Sequence, residues 1–296
     1  MMRIGLFLLT NIAIMIVIGI VFRLLGLAGV LAQNGVDLNL NALLVYSAVI
    51  GMSGSIISLF ASKWMAKRGA GVQLIETPRN DAERWLLDTV RRLSEKAGIG
   101  MPEVGIFNTP QANAFATGWN RNSALVAVST GLLERFERDE AEAVMAHEIG
   151  HVANGDMVTL ALVQGVVNTF VVFFSRVIGH TVDRVILKNE RGHGIGYFIT
   201  SMIAQVVLGF LASAIVMWFS RWREFRADDA GATLGSREGM IKALARLQQE
   251  SGQPSSLPDS IAAFGISGGL GNGIKKLFAS HPPLEERIRA LQQPSR

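Results

Sequence analysis

The sequence predicts a mainly α-helical membrane protein: four hydrophobic helices joined to a soluble α+β part with a small three-stranded sheet. Three observations carry this reading. Only 18% of the 296 residues are charged and the mean hydropathy is +0.33, whereas about a quarter of a soluble domain is charged. Four runs, 4–22, 38–62, 157–175 and 194–220, hold no charged residue and are long enough for a helix to cross a bilayer. The stretches between and after the middle runs are polar, with the periodicities of short strands and amphipathic helices.

The absence of cysteine excludes a disulfide framework and any thiolate metal site. A net charge of +4 spread beside apolar runs reads as membrane-flanking charge, so nucleic acid is not an expected partner and the lipid bilayer is.

Run 4–22 reads as a retained helix, because it exceeds an ordinary signal-peptide core and no small-residue cleavage site precedes Gln33. Run 38–62 is followed by Lys63, Lys67 and Arg68, and positive charge prefers the cytoplasm. Residues 1–68 are therefore two transmembrane helices, starting and ending in the cytoplasm. Residues 69–155 form the first soluble half. Asn80 or Asp81 caps a helix to about Lys96, with Trp85, Leu86, Val90 and Leu93 on one side and Gly98 and Gly100 ending it. Strands are expected at 104–107, 114–117 and 124–128, separated by turns at 108–110 and 119–122. Residues 156–220 form a hydrophobic hairpin returned to the cytoplasm by Arg221, Arg223 and Arg226. Its connecting loop carries Arg176, Arg184, Lys188 and Arg191, heavy positive charge for an outside loop; a spanning hairpin is still the better reading. Residues 221–296 form the second soluble half. It holds a helix over 220–234, a Ser236-capped helix to Glu250, a linker at 251–258, and a final helix after His281-Pro282-Pro283. The glycine-rich 265–273 stretch lacks the strand–helix setting of a phosphate cradle.

The chemistry centres on His147-Glu148-Ile149-Gly150-His151. Residues four apart on a helix lie one above the other, so both imidazoles project from one face. Two imidazoles at that spacing are two of the three protein ligands of a catalytic zinc, and Glu148 reaches its water as a general base. Asp139 and Glu140 suit the helix N-terminus. A chance match on an amphipathic helix is the alternative, weakened because the chain has only five histidines.

A third ligand must be histidine or carboxylate. If the hairpin spans, His180 and His193 lie about 30 Å from His151, a bilayer thickness away. Glu224 is four residues past the fourth run, about 6 Å of helix rise, and a hairpin returning to the same face brings it level with His151. Asp228 shares its helix face and could accept the free ring N–H of a metal-bound histidine. A solvated face paired with Arg221, Arg223 and Arg226 fits the same spacing, and spacing alone does not choose.

His147-Glu-Ile-Gly-His151, Glu224-Phe-Arg-Ala-Asp228 and Ser280-His281-Pro282-Pro283 together resemble the membrane-bound zinc metallopeptidases that include the eukaryotic CAAX prenyl proteases. The resemblance covers essentially the whole chain. It implies a zincin-type α+β protease domain on the cytoplasmic side of a bacterial inner membrane, with one Zn2+ held by His147, His151 and Glu224. It further implies Glu148 as catalytic base, Asp228 behind a ligand, and misfolded or damaged membrane proteins as substrates. His281, in a turn at a helix start, is the candidate oxyanion donor or reversible fourth ligand, and Arg287 could assist. Asn113, before a strand, could hydrogen-bond an extended substrate added to a sheet edge. Asp156 reads as structural. The rival is a metal-containing membrane chaperone or adaptor without peptidase activity; a metal transporter is disfavoured because the four runs carry no ionisable residue.

Overall fold

The computed structural model describes residues 38–189, 193–250 and 281–293. The first expected membrane helix, the 251–258 linker and the 265–273 stretch lie outside them. The chain divides into two compact units, Met1–Ile57 with Ala161–Val216, and Ser58–Leu160 with Met217–Arg296.

In the first unit lie parts of three long helices: α1 (Leu40–Ala70), α5 (Asp156–Thr181, continued by a π turn at Val182–Ile186) and α6 (Ile195–Leu234). All three are long and apolar enough to cross a membrane. Helix is what such segments must adopt, since hydrocarbon offers the backbone no hydrogen-bond partner. Among lipid chains there is no hydrophobic gain in bringing helices together, so close packing of small residues must do it. On α1 the buried residues are Leu44, Ser47, Gly51 and Ser55, one face at helical spacing. A Cβ on Gly51 would sit 2.5 Å from the Thr169 nitrogen, and one on Gly165 would sit 2.6 Å from Met52 Sδ, so α1 and α5 approach backbone to backbone. The hydroxyls buried there satisfy themselves on their own helices, Ser47 donating to Leu43 O at 2.7 Å and Thr169 to Gly165 O at 2.9 Å.

The separate helix expected over 220–234 is instead the end of α6, which runs unbroken from Ile195 to Leu234. Neither glycine nor proline falls between Phe210 and Ala230, so nothing interrupts the backbone ladder.

The second unit holds the sheet. Its strands β1 (Gln73–Leu74), β2 (Glu103–Phe107), β3 (Ala114–Asn120) and β4 (Ser123–Ser129) lie in the order β1-β2-β4-β3. β2 and β4 are parallel, and β1 and β3 form antiparallel edges. The three expected strands are present, but among the described residues the sheet has four. β1 is two exposed residues long and carries no periodicity a sequence reading could detect. The expected turn at 119–122 tightens to Arg121–Asn122, because β3 continues through Asn120. The helices of this unit are α2 (Asp81–Ala97), α3 (Thr130–Arg135), α4 (Arg138–Asn154), α7 (Arg237–Glu250) and α8 (Leu284–Gln292). Asn80 caps α2 by accepting from Glu83 N at 2.8 Å, and Gly98 closes it at φ 65°, as its sequence predicts. Leu86 and Val90 of α2, Val126 of β4, Met145 and Ile149 of α4, and Leu244 of α7 are all fully buried in one core. That core fixes α4, the helix of the histidines, against the sheet.

Candidate metal centre

Helix α4 starts with a reciprocal cap. The Glu137 side chain accepts from the third helical N–H, and the Glu140 side chain accepts from Glu137 N at 3.0 Å. It ends at Gly155, whose φ of 67° lets its N–H reach His151 O and Val152 O. Between these ends, His147 and His151 lie one turn apart with ring centroids 4.7 Å apart, as their spacing requires. Ile149, between them, is fully buried on the core side.

Glu224 comes to this pair from α6. Its Oε2 lies 3.5 Å from His147 Nε2, and its Oε1 lies 3.3 Å from His151 Nε2. One ligand atom from each of the three can be chosen so that all lie within 4.8 Å of one another. The other ring nitrogens face away from that point, each toward an aspartate. His147 Nδ1 is 3.0 Å from Asp228 Oδ1, and His151 Nδ1 is 2.7 Å from Asp156 Oδ2. A carboxylate on Nδ1 fixes the tautomer that leaves Nε2 free to bind a metal. His147 Nε2 is buried and has no hydrogen-bond partner, a costly condition that a cation at this point relieves. The donor set, two imidazoles and a carboxylate, suits zinc.

The electrostatics agree. Glu148, Asp156, Glu224 and Asp228 are all buried, and the buried guanidinium of Arg287 is the fixed positive charge among them. Burial lowers the proton affinity of both imidazoles, yet the carboxylates outweigh it. Asp228 and Glu224 raise His147, and Glu224 with Asp156 pushes His151 up to about 10. Such a site demands positive charge, as protons or as a metal. Burial pushes the Glu148 carboxyl up, partly offset by the two imidazoles.

Three further residues were expected here. His281 arrives just before α8, its Nδ1 2.7 Å from Glu224 Oε2, in contact with a candidate ligand. Arg287, expected to assist, is wholly buried and bound to Asp228. Its Nη2 donates to Oδ1 at 2.6 Å and its Nε to Oδ2 at 2.8 Å. That clamp positions the aspartate behind His147 and leaves Arg287 little freedom to follow a substrate. Asn113 is buried in the turn leading into β3. Its backbone N–H donates to Ser129 Oγ at 2.9 Å, and Ser129 N donates to its carbonyl at 2.8 Å. His180 and His193 pair with each other at 5.6 Å and take no part in the cluster. Sequence reasoning missed the contact of Asp156 with His151. Its signal was slight: an acid just past the glycine that ends the motif helix.

Residues 80–295 match peptidase family M48. A curated relative, "Protease HtpX" of Pseudomonas savastanoi pv. phaseolicola, is 65% identical over 293 residues, covering 99% of both chains. "Protease HtpX" of Thioalkalivibrio sulfidiphilus is 63% identical over 292 residues, again covering 99% of each. The crystal structure of S. mikatae Ste24p shares the fold, with a TM-score of 0.62 at 20% identity; the match covers 93% of this chain and 66% of that one. With these matches the convergence of His147, His151 and Glu224 gains its meaning: the chain belongs to peptidase family M48 and is a metalloprotease.

Proposed function

We propose that this chain is a zinc endopeptidase of the bacterial inner membrane, with its active site on the cytoplasmic side, that cuts misfolded or damaged membrane proteins and other unfolded polypeptides. The observation that carries the reading is the pair of histidines whose Nε2 atoms meet Glu224 while each Nδ1 is held by an aspartate. His147, His151 and Glu224 would hold the zinc, which when bound supplies a Lewis acid and acidifies a water to a pKa near ~7. Glu148 adjoins His147 on α4 and is the base that takes the proton of the attacking water and passes it to the leaving nitrogen. Asp228 and Asp156 keep the ligand imidazoles in one tautomer, and Arg287 keeps Asp228 in place. His281, in contact with Glu224, would donate to the developing oxyanion or, without substrate, serve as a further ligand of the metal. β3 is an edge strand, and an extended peptide adds to such an edge through backbone hydrogen bonds, with Asn113 at its start.

The relatives' name, protease, agrees with this reading. So does the division of residues: the second unit draws on chain both before and after the apolar stretches. This supports residues 69–155 and 221–296 as halves of one protease domain, 156–220 as a membrane hairpin inserted between them, and 1–68 as the leading pair of membrane helices. The basic residues Lys63, Lys67 and Arg68 after the second run support a cytoplasmic place for that domain.

The test is metal analysis of the purified chain beside cleavage of an unfolded membrane protein. Stoichiometric zinc, lost together with cleavage on phenanthroline treatment and in Glu224→Ala, is the expected result. Zinc fully retained in Glu224→Ala contradicts the ligand set.

A further inference from the structure

The hairpin carries a feature that proteolysis does not use. Its far end holds Arg176 in α5 and Arg184 in the π turn, with Lys188 and Arg191 next in the sequence, against the usual distribution of positive charge around a membrane. Arg176 directly follows the uncharged run 157–175 of α5, and so stands at the hydrocarbon boundary if that run spans. Its guanidinium lies 5.9 Å from the ring centroid of Tyr197 at the start of α6, and tyrosine favours the headgroup level. The His193 ring centroid lies 4.1 Å from that of Tyr197.

From this station a groove of about 550 Å³, lined by Arg176, Phe198, Met202, Gln205 and Val206, runs along α6. Phe198, Met202 and Val206 recur every four residues and are 60%, 62% and 69% exposed. They form one apolar stripe about 12 Å long that descends from the arginine into the hydrocarbon. Asp183, the carboxylate of this end among the described residues, is committed elsewhere: it accepts from Gly194 N and Asn189 Nδ2, each at 2.9 Å. Among the described residues the partner of the Arg176 guanidinium is the Tyr197 ring.

We infer that this groove is a site for an anionic phospholipid, with the phosphate on Arg176 and one acyl chain along Phe198, Met202 and Val206. A chain of some lipid always covers an apolar stripe inside a bilayer; charge decides which lipid stays. An anionic headgroup neutralises Arg176, whereas a zwitterionic headgroup carries an ammonium that the guanidinium repels. The same lipid accounts for positive charge at an end of the hairpin where the membrane potential and the usual bias disfavour it. Free phosphate would engage the arginine and gain nothing from the stripe.

Native mass spectrometry tests this on the full chain, released from mixed micelles holding equal phosphatidylglycerol and phosphatidylcholine. Phosphatidylglycerol is expected to be enriched about five-fold on the wild type, the effect of roughly one favourable surface charge. Arg176→Gln should bring the ratio to near unity, and Met202→Trp, which fills the groove, should lower total bound lipid. Lys188→Gln, outside the groove, should keep most of the preference, and excess soluble glycerol phosphate should not displace the lipid. Zinc content equal to wild type verifies that each variant is folded. Equal binding of the two lipids overturns the site. So does an unchanged ratio in Arg176→Gln, an equal loss in Lys188→Gln, or displacement by glycerol phosphate.

Discussion

Asp156 and Asp228 hold the Nδ1 atoms of His151 and His147 at 2.7 and 3.0 Å, and these contacts decide which nitrogen each ring offers. Removing such a partner typically weakens a metal site by about 10- to 100-fold. Asp156→Asn should therefore lower zinc affinity by that order, read by competition with a chelator, while the fold persists. Affinity equal to wild type would return Asp156 to a purely structural part. The histidines themselves were legible because helical spacing is a local property, and two imidazoles four apart share a face in any helix. Asp156 was not, because Gly155 leaves the helix at φ 67° and takes the next residue off the helical period. Arg287 was legible as a site residue but not in its place: that its charge ends buried against Asp228 is a matter of how α8 docks, which no local pattern records.

At the scale of elements, the distance between α4 and α6 sets the metal site, and two glycines set that distance. A Cβ on Gly150 would meet Ala230 Cβ at 2.7 Å, and one on Gly231 would meet His147 N at 3.2 Å. Gly150→Leu must push the helices apart, an overpacking that costs about 1–3 kcal/mol. It should lower both Tm and zinc retention; normal zinc affinity would show that Glu224 does not depend on this contact. A second junction ties α1 to the sheet. Lys63 Nζ lies 2.8 Å from Glu103 Oε1 on β2, and Lys67 pairs with Oε2. Partial burial pushes the Glu103 carboxyl up, but the two lysines outweigh it and hold it below its usual value. A depressed folded value means stability that is present above the ordinary glutamate pKa, about 4.3, and lost as the pH falls through the folded value. The Tm difference between wild type and Glu103→Gln should therefore be largest near neutral pH and shrink on acidification below pH ~4. A difference that stays constant would remove the ion pair from the account. Caps such as Asn80 and Gly98 made α2 readable in advance. β1 was unreadable because its two residues become a strand only by pairing with Gly105 and Ile106. The unbroken α6 needed only the absence of glycine and proline, which the charge change at Arg221 concealed.

At the scale of the whole molecule, a carboxylate far along the chain, Glu224, shares a site with the motif. Spacing left Glu224 open between ligand and solvated face; its 1% exposure and contacts with both histidines favour the first. The resemblance supplied the combination of motifs, while the carboxylates behind the histidines came from packing. The central claim is that this centre hydrolyses peptide bonds with Glu148 as base, and Glu148→Gln tests it most directly. The substitution keeps size and removes the proton acceptor, and Glu148 is not among the clustered ligand residues. Zinc content equal to wild type with cleavage of an unfolded membrane protein abolished is the predicted result. Undiminished cleavage by Glu148→Gln would contradict the mechanism.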